Sequence, residues 1–192
     1  MKSLIASAAL ALAAGALVSP AGANAFRPQL EALMAQEVQP WLADAVVIDA
    51  IKAANDRHAT LTKAEIEALD QQWRKEAEAG SGPLLDKVLG SDLSAYLSER
   101  KAEMDGTVSE LFVMDNRGLT VGLSDVTTDY WQGDEDKWQK TFLAGPGAVF
   151  VDEVGFDDSA ESFLSQISRT IVDPATGDAI GAITVGVNVE LF

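Results

Sequence analysis

"SFLSQISRTIVD" (162–173) and "AIGAITVGVNVEL" (179–191), joined by "PATGD" (174–178), decide how the chain is read. Side chains alternate across a strand, so each run sorts onto two faces. On the second run Ile183, Val185, Val187 and Val189 share one side, and Ala182, Thr184, Gly186 and Asn188 share the other. On the first, Phe163, Ile167 and Ile171 oppose Gln166, Ser168 and Thr170. This is a hairpin with one apolar face. The other face lacks the Lys, Glu and Arg usual on a strand that looks at water. Its small residues and hydroxyls imply that something packs closely over it.

Three further strands precede the hairpin. "ELFVMD" (110–115), the turn "NRG" (116–118) and "LTVGLS" (119–124) form a first hairpin, and "AVFVDEV" (148–154) is a lone strand. Five strands in meander order follow. Residues 26–105 read as helix. Pro28 suits a helix start. Leu30, Leu33 and Met34 share a face, Pro40 kinks or restarts the helix, and Trp41, Ala45, Ile48 and Ile51 continue at helical spacing. Thr62 and Glu65 form a capping-box pattern, Gly80 closes that helix, "SGPLL" is a break, and a third helical piece runs from Leu84 to Met104 with an interruption at Gly90-Ser91. The expected class is α+β, an antiparallel sheet (110–192) packed on a long N-terminal helix within one domain, 26–192.

Residues 1–25 are read separately. Lys2, the apolar run Leu4–Val18 and Ala23-Asn24-Ala25 match a secretory signal peptide cleaved after Ala25. That predicts a periplasmic mature chain of 167 residues with 13 basic and 30 acidic side chains, a formal charge of −17. So acidic a surface repels phosphate backbones and anionic lipid, which disfavours nucleic-acid binding, and no second run approaches membrane-spanning length. With no cysteine, disulfides and thiolate metal sites are excluded. The single histidine, His58, is read as a capping or surface residue near a helix end. No P-loop or G-x-S-x-G elbow occurs, so no cofactor and no catalytic residue is assigned.

The connection "TTDYWQGDEDKWQKTF" (127–142) is polar, with a short helix expected at "KWQKTFLAG". Tyr130, Trp131 and Trp138 are costly to leave in water. They serve either as a lid that walls a cavity over the hydroxyl-bearing face, with charged contacts from Asp129, Asp134, Lys137 and Lys140, or as a satellite core that pins the loop. The clusters Asp134-Glu135-Asp136, Asp152-Glu153 and Asp157-Asp158 are read as solvated loops, with Ca²⁺ binding as an alternative.

"LFVMDNRGLTVGLS" (111–124), "DYWQGDEDKW" (129–138) and "QISRTIVDPATGDAIGAITVGV" (166–187), in that order, resemble the extracytoplasmic PAS-like sensor domains of the Cache or PDC family. The resemblance implies a strongly bent antiparallel sheet on a long N-terminal helix. It also implies a small ligand (organic acid, amino acid or amine) between sheet and aromatic loop. Tyr130, Trp131 and Trp138 would line that site, and Asp152, Ser168 and Thr184 would offer hydrogen bonds. A membrane receptor or histidine kinase is the implied signalling partner. Lys137 and Lys140 stand where an arginine clamp for amino acids is expected. A ligand-free interaction module is the alternative function.

Overall fold

The computed structural model describes residues 24–157 and 161–192. The signal-peptide reading therefore falls largely on residues outside the described ones, as does Asp158. Helix α1 (Arg27–Leu33) opens with Pro28 in its first turn. Its path continues as one π-helical turn, Met34–Val38, and a 3₁₀ turn at Gln39–Trp41 around Pro40. Helix α2 (Ala45–His58) then starts afresh after Asp44. Proline lacks the N–H and crowds the preceding turn, so the restart falls at that residue.

Helix α3 (Lys63–Ala79) begins on a complete capping box: Thr62 Oγ1 accepts from Glu65 N–H, and the Glu65 carboxylate accepts from Thr62 N–H. It ends at Gly80 in the left-handed region, φ 75°. Helices α4 (Pro83–Leu89) and α5 (Asp92–Ala102) meet at Gly90-Ser91, where the Ser91 hydroxyl accepts from Ser94 N–H. The start of α4 has an unusual cap. The buried Glu76 carboxylate, from α3, accepts from the N–H groups of Leu84 and Leu85 at 2.8 Å each, and from Gln72 at 2.6 Å.

The sheet comprises β1 (Val108–Asp115), β2 (Thr120–Leu123), β3 (Val149–Val151), β4 (Gly155–Asp157), β5 (Ser162–Val172) and β6 (Ala179–Asn188), all pairs antiparallel. All five expected strands form, and β4 is an added three-residue strand on β5. The expected meander order does not hold. The order is β2-β1-β6-β5-β3, so the last strand enters the middle of the sheet between β1 and β5. The reason is hydrophobic: β6 has no polar edge and is buried along nearly its whole length, which suits a central strand flanked on both sides.

The register confirms the face assignment. Leu111 pairs with Val185, Val113 with Ile183, and Ile167 with Val185. These side chains, with Ile171 and Val187, pack against Leu30, Met34, Val38, Val47, Ile48 and Ile51 of the N-terminal helices. On the other face Thr184 sits between Phe112 and Ser168, and Ala182 between Met114 and Thr170. A second core covers that face, built from Ile66, Trp73, Leu85, Val88, Phe112, Met114, Leu123, Tyr130 and Trp138. The sheet is therefore buried on both sides. Among the described residues, no helix is long and apolar enough to cross a membrane.

The Glu76 cap generates a prediction. Burial pushes its carboxyl up, but the hydrogen bonds from Leu85, Gln72 and Leu84 together outweigh it and hold the group below its ordinary value. A carboxyl depressed in the folded state stabilises above the unfolded-state value and ceases to do so as pH falls through the folded one. A Cβ at Gly82 would collide with the Glu76 side chain. Gly82→Ala and Glu76→Ala should therefore each lower the urea midpoint at pH 7, and the double variant should lose little more than either alone. Glu76→Ala should also show a shallower loss of stability on acidification through the carboxylate range.

Candidate functional site

The aromatic connection is held from two sides. On one side stands α3, where Asp70, Trp73 and Arg74 share a face at i, i+3 and i+4. Asp70 Oδ1 accepts from the backbone N–H of Tyr130 (2.9 Å) and Trp131 (3.0 Å). Arg74 bridges Asp70 and Asp129 at 2.8 and 2.7 Å. Trp73 is completely buried, donates its indole N–H to Thr127 O at 2.8 Å, and stacks on Tyr130 with centroids 5.3 Å apart.

On the other side stands the β1–β2 turn. Asp115, fully buried, accepts at Oδ1 from the N–H groups of Arg117 (2.8 Å) and Leu119 (2.9 Å), an aspartate turn. Its Oδ2 accepts from His58 Nδ1 at 2.6 Å. Its backbone carbonyl accepts the indole N–H of Trp138 at 3.1 Å. Trp131 donates to Arg117 O at 2.9 Å and bridges to Leu119, while Thr120 N–H donates to Tyr130 O. Arg117 in turn caps the end of α2 and the segment after it, donating to the carbonyls of His58, Ala59 and Leu61.

The seven side chains expected at the site are distributed as follows. Trp138 is buried over the second face, stacked on Phe142 at 5.3 Å. Ser168 and Thr184 lie on that face, have no exposure, and share a hydrogen bond of 2.9 Å. Lys140 is exposed, pairs with Asp136 at 2.6 Å and sits 4.7 Å from the Phe150 ring centroid. Asp152 lines a separate cavity of about 240 Å³ with Glu110 and Gln166. Trp131 is half-buried against the β1–β2 turn. Tyr130 lines the largest of the described cavities.

That cavity, about 500 Å³, lies at the β2 edge between α2, α4 and the start of α5. Tyr130 is 4% exposed, and its hydroxyl makes no hydrogen bond among the described residues. Thr120, His58 and Val88 complete the inner wall, with Arg57 and Lys87 balancing Asp49 and Asp92 at the rim. Among the described residues these four charged groups form no ion pair with one another. A volume of this size with an apolar wall and a few polar groups suits a small polar molecule. Sequence reasoning missed His58 and Asp115, which lie 57 residues apart. The signal available was the "DNRG" turn, whose leading aspartate is the residue type that bonds its own turn backbone. Asp70, Trp73 and Arg74 were also readable as one helix face. No group of three or more His, Asp or Glu side chains suited to a metal ion occurs among the described residues.

Neither protein-family models nor curated protein sequences match this chain. Among solved structures it is similar to the sensory domain of the Campylobacter jejuni chemoreceptor Tlp3, at 14% identity over 85% of this chain and 65% of that one, TM-score 0.39. It is similar to the sensor domain of the V. cholerae histidine kinase DctB, at 14% identity, 85% and 57% coverage and TM-score 0.36. It is also similar to the ligand-binding domain of the Pseudomonas aeruginosa amino-acid chemoreceptor PctC in complex with GABA, at 11% identity, 66% and 59% coverage and TM-score 0.37. The chain spans less than two thirds of the length of each.

Tyr130 and Tyr96 are the only tyrosines, and both phenols are pushed up to about 12. For Tyr130 the cause is burial and then the Asp115 charge; for Tyr96 it is burial and then its hydrogen bond to Asp44. An acid raised in the folded state stabilises fully below its unfolded value, here near 10, and that contribution disappears as pH rises toward the folded value. Absorbance titration of the folded protein should show no phenolate step near pH 10. Stability should fall between pH 10 and about 12, and Tyr130→Phe should remove part of that fall.

Proposed function

We propose that this chain is an extracytoplasmic sensor module, exported by residues 1–25, that binds a small organic acid, amino acid or amine and passes the change to a membrane receptor or histidine kinase. The observation that carries the proposal is the Tyr130 hydroxyl. It makes no hydrogen bond among the described residues, and it belongs to a nearly buried side chain that lines a 500 Å³ cavity. The balanced rim of Arg57, Lys87, Asp49 and Asp92 suits a zwitterion or a small carboxylate.

Of the side chains singled out in the sequence, Tyr130 takes the ligand contact in this reading. Trp131 and Trp138 hold it in place through the Arg117 and Asp115 carbonyls. Lys140, Asp152, Ser168 and Thr184 make no ligand contact in it. A ligand that orders Tyr130 bears on the whole 127–142 segment, since Tyr130 is bonded to both Asp70 and Thr120. A second reading, a ligand-free interaction module, draws support from the Ser168–Thr184 pair, which satisfies itself without a guest.

A thermal-shift screen against amino acids, organic acids and amines tests the choice. A ligand at 100 times its dissociation constant adds about 2.7 kcal/mol of stability. Tyr130→Phe keeps the ring and removes one hydrogen bond, so affinity for the best compound should drop roughly tenfold. A screen with no stabilising compound favours the interaction module, and a compound whose affinity ignores both Tyr130→Phe and Arg57→Ala places the site elsewhere.

A further inference from the structure

The chain contains four tryptophans, and three donate their indole N–H to a backbone carbonyl: Trp73 to Thr127, Trp131 to Arg117 and Trp138 to Asp115. Trp41 does not. It is 7% exposed, and its Nε1 is shielded from water with no acceptor among the described residues. An unpaired buried donor is uncommon enough in a native fold to need a reason. Its ring is fixed edge-on to Tyr96 at 5.8 Å, and the Tyr96 hydroxyl is fixed to Asp44 at 2.6 Å.

Trp41 lines a cavity of about 390 Å³ between α1 and the end of α5, which shares no lining residue with the Tyr130 cavity. Arg100 lines the same cavity. Its guanidinium lies over Tyr96 and pairs with Glu103 at 2.9 Å, yet its Nε–H also has no acceptor among the described residues. Two side chains that line one cavity thus each carry an unmatched, shielded donor just behind its wall. The remaining wall is apolar at Leu33 and Met104 and acidic at Glu37 and Asp105, and neither carboxylate forms an ion pair among the described residues. Glu37 reaches the cavity from the π-helical turn, a feature that recurs at functional sites. With Glu103, three carboxylates face one guanidinium, so a bare anion is repelled even though the donors call for an oxygen.

We propose that the cavity walled by Trp41 and Arg100 is a second binding site, for a small organic cation that carries an oxygen acceptor. The oxygen accepts from Trp41 Nε1–H and Arg100 Nε–H after a small adjustment of the wall, and the cationic group lies against Glu37 and Asp105. Leu33 and Met104 take the intervening methylenes. This site stands independently of the Tyr130 cavity.

The test is a titration of the uniformly ¹⁵N-labelled protein with L-lysinamide, an amine cation with a carbonyl acceptor, followed through the four indole N–H resonances. Trp41→Phe assigns the relevant signal. The expected result is a saturable downfield movement of Trp41 alone, unaltered by Tyr130→Phe, with acetate producing none. Glu37→Gln combined with Asp105→Asn should weaken the response at least tenfold. Absence of any Trp41 movement up to about 10 mM, beyond the weak end of ordinary recognition, overturns the proposal. So does an equal response in the doubly neutralised protein, which carries the test alone if Trp41→Phe does not fold.

Discussion

The buried carboxylate of Asp115 is the contact on which the rest of this structure depends. It closes the β1–β2 turn through two backbone N–H groups, anchors the end of α2 through His58, and stands where its own carbonyl receives Trp138. A fully buried carboxylate is tolerated only where hydrogen bonds replace its hydration. Here three donors do so, two from the β1–β2 turn itself and one, His58, from the end of α2. The first sheet hairpin, the N-terminal helix and the aromatic segment therefore share one polar node in an otherwise apolar interior.

The node decides what the aromatic segment does. Tyr130, Trp131 and Trp138 are costly in water, and the fold resolves that cost by matching ring to ring and indole to carbonyl. Trp73 stacks on Tyr130 and Phe142 on Trp138, and the indoles of Trp131 and Trp138 end on the two carbonyls of the Asp115 turn. The segment is a second core more than a free flap. The Thr184–Ser168 row beneath it is small because large rings lie above it, and its hydroxyls bond each other. Room for a guest is left at the margins: at the β2 edge, in the cavity that Tyr130 lines, and beside Trp41.

What the sequence disclosed follows the range of the forces involved. Local chemistry was readable. Thr62 and Glu65 form their capping box, Gly80 takes the left-handed conformation, and Pro40 ends one helical path, because each depends on residues within one turn. The alternation on β5 and β6 placed Ile167, Ile171, Ile183, Val185 and Val187 on one face and Ser168, Thr170 and Thr184 on the other, because burial against the N-terminal helices fixes the pleat there; Phe163, beyond that core, is exposed. Strand order was not readable, because it depends on which strand best tolerates neighbours on both sides. Strand β4 escaped notice at three residues. The small-residue row announced a close cover but not its nature, as Thr, Ser and Gly accommodate a tryptophan or a ligand equally well. His58 and Asp115 are individually unremarkable, and their pairing is a product of the fold.

The most direct test of this account is native-state hydrogen exchange of the Trp131 and Trp138 indole N–H groups, compared with the amides of Leu119 and Thr120. If the Asp115 node joins the aromatic segment to the sheet, all four exchange only through the same cooperative opening, with one denaturant dependence. Indole exchange through a low-energy local opening while the strand amides stay protected would show a lid that moves independently, and would contradict the account.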